Sequence, residues 1–206
     1  MDGASGEIEE DPPLKQSTNE AGTLRERLIL AGIQEIDQNG IRNFSVRRVA
    51  NTCGVSCAAP YKHFEDKQAF FTAIVDYIDS LWRERKAKVL EKYHTGVRRQ
   101  LAEISLEYIR FLVENPHFRA VVMSQDEDFD GRWSRPRGQM SDITQGLIQE
   151  YARSVDMPER TRRLKIYIVR SLIYGAALMF DNGELTYNEE NMSLVAYAIE
   201  REFDLA

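Results

Sequence analysis

From Thr23 to Phe203 the apolar residues recur every three or four positions, and no stretch alternates apolar with polar over a strand's length. That periodicity restricts the chain to helices. Thr23 and Glu26 form a capping-box pattern, followed by Leu28, Ile29, Ile33 and Ile36 on one face, and Asn39-Gly40 ends the element. Ser45 suits the N-cap of a short helix with Val46, Val49 and Ala50 inward. Gly54 suits a left-handed turn, and Ser56 suits the cap of a third short helix through Phe64. Asp66 caps a long fourth helix whose stripe runs from Phe70 to Val89. Further stripes follow: Leu101 to Leu112, a short "HFRAVVM", Met140 to Val155, Glu159 to Phe180, and Met192 to Phe203. Between them "SQDEDFDGRWSRPRG", residues 124–138, reads as a loop. The expectation is an all-α chain of about nine helices, with no repeat of fixed period.

The 206 residues suffice for one large domain or two small ones with a hydrophobic core. The most apolar run, Ile166 to Phe180, is too short for a membrane span and is broken by Arg170. The first residues, "MDGASGEIEEDPP", lack the basic and apolar regions of a secretory signal. With only two cysteines, Cys53 and Cys57, a disulfide scaffold is not indicated, and a cytoplasmic location is the expectation. Residues 1–22 hold six acidic groups against Lys15, a charge of −5, so the rest of the chain carries −6 − (−5) = −1. The tail has almost no large apolar residues and is expected to be disordered. Overall acidity therefore excludes no nucleic-acid partner; local charge decides.

The stretch "VSCAAPYKHFEDK", residues 55–67, is where local charge departs from the whole. Residues 42–67 hold five basic side chains against Glu65 and Asp66, so 5 − 2 = +3. Helix, short turn with glycine, helix is helix-turn-helix spacing, in which the second helix enters the major groove. Small side chains, Cys57, Ala58 and Ala59 after Ser56, permit close approach to base edges. Ser45, Arg47, Arg48, Tyr61, Lys62, His63 and Lys67 are candidate phosphate donors. The competing readings are a core aromatic for Tyr61, a solvated Lys62 and a structural His63. Cys53 and Cys57 flank the turn; small half-buried thiols and a redox or metal switch are the two readings, and no further ligands stand at zinc spacing. No metal site, cofactor or catalytic residue is expected, because H-E-x-x-H, P-loop, G-x-G-x-x-G and G-x-S-x-G patterns are absent from the sequence. "GVSCA" approaches the last but lies between short helices, not at a strand-to-helix elbow.

Residues 23–76 resemble the N-terminal domain of TetR-type transcriptional regulators. The Gly54-Val55-Ser56 turn, Tyr61, the His63-Phe64 pair and Lys67 fall where that family has them; Cys57-Ala58 stands where many members have Lys-Gly. The resemblance implies a homodimer binding a palindromic double-stranded DNA operator, usually as a repressor released by a small-molecule effector. It divides the chain into a tail (1–22), a DNA-binding domain (23–68) and a helical ligand-binding and dimerisation domain (69–206). It also makes the last two helices the dimer interface, with Leu172, Gly175, Ala176, Met179, Val195 and Ile199 as its expected residues. Trp82, Tyr108, Phe111 and Tyr151 are the expected lining of a cavity for a largely apolar molecule; singly, each ring also suits a filled core. The rival readings are a helical protein-interaction module with a degenerate helix-turn-helix and a redox-sensing regulator using Cys53 and Cys57.

Overall fold

A computed structural model of the chain describes residues 22–122 and 142–204. The tail expected over 1–22, except Gly22, the loop expected over 124–138, Trp133 and Met140 lie outside the described residues. The described residues form eight α-helices and two single-turn 3-10 helices, with no strand among them.

Local signals place the first three helix starts. In α1 (Leu24–Asn39) the capping box is complete: the Glu26 amide donates to Thr23 Oγ1 at 3.3 Å and the Thr23 amide donates to Glu26 Oε2 at 2.8 Å. Ser45 caps α2 (Val46–Thr52) by accepting from the Arg48 amide. Asp66 caps α3 (Lys67–Lys92) by accepting from the Ala69 amide at 2.7 Å. The remaining helices are α4 (Val97–Glu114), α5 (Pro116–Val122), α6 (Asp142–Ser154), α7 (Glu159–Asp181) and α8 (Glu189–Asp204).

One expected element is replaced. The third short helix, from a Ser56 cap through Phe64, is instead a turn followed by a 3-10 helix at Pro60–Lys62. The physical reason is Pro60. It has no amide to donate to the Ser56 carbonyl, and the Ala59 amide takes that carbonyl at 2.9 Å. The next bonds keep the tight spacing, Lys62 to Ala59 at 3.2 Å and His63 to Pro60 at 2.9 Å, before Phe64 donates to Pro60 at 3.0 Å.

The apolar stripes meet in one continuous core. Leu28, Ile29, Ile33 and Ile36 of α1 pack with Val49 of α2 and with Phe70 and Ile74 of α3. The same cluster continues through Ile109 and Leu112 of α4, Phe118 of α5, Ala177 of α7 and Ile199 of α8. A Cβ on Gly32 would lie 2.7 Å from Ile74 Cδ1, so the glycine is what lets α1 and α3 come this close. The 26 residues of α3 span ~39 Å, so one rigid element runs from the turn at Pro60–Lys62 to the far end of the bundle. There α4 packs against α3, α6, α7 and α8, and α7 packs along α8.

Candidate nucleic-acid interface and effector cavity

The turn after α2 is built from backbone bonds. The Val55 amide donates to the Ala50 carbonyl and the Gly54 amide to the Asn51 carbonyl, both at 3.0 Å, which closes the helix in a Schellman arrangement. Gly54 has φ +69°, a conformation that costs an L side chain energy. Beneath the following segment Pro60 and Phe64 are buried, and the Phe64 ring stacks on Phe70 with centroids 4.1 Å apart. Buried anchors at 60 and 64 turn the residues between them outward. Tyr61 is 54% exposed, a large fraction for an aromatic ring, and Lys62 and His63 are exposed beside it. Ser56, Cys57 and Ala58 are exposed, and Ala59 is half-buried. Arg47 is also exposed, and the ammonium of Lys67 lies 5.8 Å from the Phe44 ring centroid. Most of the small and basic residues singled out in the sequence are therefore exposed, with Tyr61 open to solvent and not in the core.

Two of them have structural duties. The Ser45 hydroxyl is occupied as the cap of α2. Arg48 donates through Nε at 2.7 Å and Nη2 at 2.5 Å to Glu35 Oε1, and through Nη2 at 2.5 Å to the Asn43 carbonyl. Glu35 is 7% exposed, so this arginine staples α2 to α1; the hydrogen bond to Glu35 raises its already high pKa. Sequence spacing missed the staple because Glu35 and Arg48 are thirteen positions apart. The two cysteines separate as well. Cys53 is buried against α1, where the Arg27 guanidinium donates to its carbonyl at 3.0 Å, and burial pushes its thiol pKa up. Cys57 is exposed. Neither is in a disulfide.

The second feature is a cavity of about 620 Å³ between α3, α4, α6 and α7. Trp82, Tyr108 and Tyr151 line it as expected from their stripes. Phe111 does not. It is 1% exposed in the core, against Trp82 on one side and Phe118 on the other, with centroids 5.6 and 5.8 Å away. The wall includes apolar Ile78, Leu101, Ile104 and Ile173. Burial pushes the Tyr108 hydroxyl above the usual phenol range, and its hydrogen-bonded neighbour Tyr174 adds to the shift. That phenol stays protonated. Lys86 also lines the cavity, only 2% exposed. Its pKa is drawn below the ordinary lysine value by burial first and by nearby Arg83 second, with Asp79 opposing.

Residues 28–74 match the model of the family described as bacterial regulatory proteins, tetR family. Over those residues the chain is similar to the N-terminal domain of that family. The match begins inside α1 and ends inside α3, so it holds both the α2 turn and the 3-10 segment. Among curated proteins, the nucleoid occlusion factor SlmA of Marinobacter nauticus is 26% identical over 123 residues, which is 57% of this chain. That match spans 63% of SlmA, less than two thirds of its length. Among solved structures, a TetR family transcription regulator from Marinobacter aquaeolei VT8 superposes with a TM-score of 0.63 at 20% identity, over 86% of this chain and 94% of that one. The transcriptional regulator FadR from Bacillus subtilis, solved in complex with stearoyl-CoA, superposes with a TM-score of 0.61 at 16% identity, over 86% of this chain and 96% of that one. These likenesses establish that the TetR-type domain continues into a larger all-helical fold shared with such regulators.

Behind the TetR-type domain, α7 and α8 carry an outer apolar face. Leu164, Tyr167, Leu178 and Met179 are exposed on α7, and Leu194 and Tyr197 on α8. A Cβ on Gly175 would meet nothing within 4 Å, so this glycine lies toward that open side. Leu172 and Val195 are half-buried at the edge of the core. Two residues expected at the interface turn inward instead. Ala176 is 6% exposed and Ile199 is 0% exposed, both within the chain's own core. Among the described residues, no helix is long and apolar enough to cross a membrane, and no group of three or more His, Cys, Asp or Glu is placed to hold a metal ion.

Proposed function

We propose that the chain is a sequence-specific DNA-binding transcriptional regulator that acts as a homodimer on a palindromic operator and is released by a small molecule bound in the cavity. The observation that carries this reading is the exposed run around Tyr61, from Ser56 to His63, together with exposed Arg47 and Lys67. Buried Pro60 and Phe64 hold it out, and it combines small side chains with basic and phenolic donors. Cys57, Ala58 and Ala59 face base edges; Tyr61, Lys62, His63, Arg47 and Lys67 hold phosphates; Ser45 and Arg48 brace the turn. The outer face of α7 and α8 joins the two copies, so that two such surfaces meet two half-sites. Supporting the effector role are the cavity's volume, which lies in the usual range for small-molecule sites, and the stearoyl-CoA bound by a regulator of the same fold. Because α3 begins directly after the DNA-facing turn and also walls the cavity, a ligand that shifts α3 alters the spacing of the two surfaces. A coupling of about 1–3 kcal/mol is typical of such linkage.

The test is a selection from random duplexes with the full chain. It should enrich a palindrome whose half-sites are about one helical turn apart. Enrichment of no sequence over the starting pool would contradict the reading. A redox-sensing role for Cys53 and Cys57 finds less support, since Cys53 is buried with a raised thiol pKa and such thiols are inert.

A further inference from the structure

The charge of the cavity wall is lopsided. Among the described residues, Arg83 and Lys86 of α3 and Arg162, Lys165 and Arg170 of α7 line it, with one lining carboxylate, Asp79. Arg83 is exposed to solvent and Arg162 is balanced by Glu159 outside the lining, which leaves Lys86, Lys165 and Arg170 sharing Asp79 among the described lining residues. How these cations are held sharpens the point. Elsewhere in the bundle several arginines meet carboxylates: Arg85 pairs with Glu107 and Glu114, Arg98 with Asp204, Arg119 with Asp181. In the cavity Arg162 pairs with Glu159, but Lys165 donates to the neutral Glu202 carbonyl at 2.5 Å. The Arg170 guanidinium lies 5.8 Å from the Tyr174 ring centroid. Lys86, 2% exposed, is the most deeply sequestered charged side chain of the wall. Removing a cation from water is unfavourable, and a wall that gathers several lowers its own energy when an anion joins them.

We infer that the cavity selects an amphipathic anion: an apolar body lying against Ile78, Leu101 and Ile104, with a carboxylate-type or phosphate-type head held by Lys86, Lys165 and their neighbouring arginines. The apolar body is needed because most of the wall between the cations is aliphatic or aromatic. The anionic head is needed because a neutral or cationic molecule leaves the cations as they are or adds to their repulsion. This inference rests on the reading of the cavity as the effector site and adds the ligand's chemical class.

Calorimetric titration of the full chain with decanoate, decanol and decylammonium holds the body constant and changes only the head. Decanoate should bind about tenfold tighter than decanol or better, with decylammonium weakest. Lys86→Met should narrow the gap between decanoate and decanol while leaving decanol affinity unchanged. Lys165→Met, at a half-buried site, should do the same if the first variant fails to fold. Equal or tighter binding of decanol or decylammonium, or binding of none of the three, overturns the inference. Operator affinity measured with each compound separates the two ideas. Decanoate selectivity with unchanged operator affinity refutes the effector role and leaves the anion site standing. Decanol that binds as tightly as decanoate and loosens the operator complex refutes the anion site and leaves the effector role standing.

Discussion

Arg48 and Lys67 are both exposed cations of the basic segment, yet they should fail in different ways when removed. Arg48→Ala strips the guanidinium from Glu35, a 7% exposed carboxylate, and unpins α2 from α1. Its melting temperature should fall, and DNA binding should fall with it because the turn loses its brace. Among the described residues Lys67→Ala breaks no ion pair, and the variant should melt near wild type. Its effect should be a uniform loss of affinity for all sequences, with the log–log salt slope reduced by about one per subunit. An unchanged slope in that variant would remove Lys67 from the phosphate-contacting set. The cysteines give a further test at this scale. Cys57 should react with a thiol reagent in the native protein, whereas Cys53 should react only on unfolding, because burial both shields its thiol and raises its pKa. Fast labelling of both thiols under native conditions would show that the α1–α2 contact opens freely.

At the scale of elements, the meeting of α1 and α3 depends on Gly32. A leucine there must displace Ile74, itself 0% exposed, and should destabilise the fold by about 1–3 kcal/mol, read from denaturant unfolding. A stability within ~0.5 kcal/mol of wild type would mean that the helices separate without cost. The elements also mark how far the sequence could be read. Thr23 with Glu26, Ser45 and Asp66 signal helix starts through bonds spanning three residues, and such local chemistry is visible in a string of letters. The segment after Ser56 reads as helical from its cap and its place after the glycine turn, with Pro60 tolerable so near a first turn; the missing amide instead leaves the Ser56 carbonyl to Ala59 and tightens the segment to a 3-10 turn. Trp82, Tyr108 and Tyr151 share the cavity because their stripes face inward. Phe111 lies one turn beyond Tyr108, and its turn inward to the core depends on where α5 brings Phe118. Ala176 and Ile199 illustrate the same limit: periodicity says which face is apolar, and only packing says whether that face meets the chain's own core or open space. The lopsided charge of the cavity was likewise unreadable, since Arg83, Lys86 and Lys165 become neighbours of one space only when α3 and α7 fold around it.

For the whole molecule, the exposed apolar face of α7 and α8 is the surface proposed to join two copies. Leu194 is 63% exposed and Tyr197 is 67% exposed, which is costly for a surface left in water. Leu194→Glu should shift sedimentation toward monomer at micromolar concentration without lowering the monomer's helicity. Ala176→Glu should instead unfold the chain, since its side chain would enter the core. A wild-type chain that sediments as a monomer at that concentration would exclude the dimer. Whether the segment Ser56–Lys67 reads DNA sequence is decided by one titration. The full chain is titrated against the duplex enriched by selection and against a scrambled duplex of the same composition, at physiological salt. Binding to the enriched duplex should be about 10³-fold tighter or more, a gap that closes when Ala58 is replaced by Trp. Equal affinity for the two duplexes would contradict it.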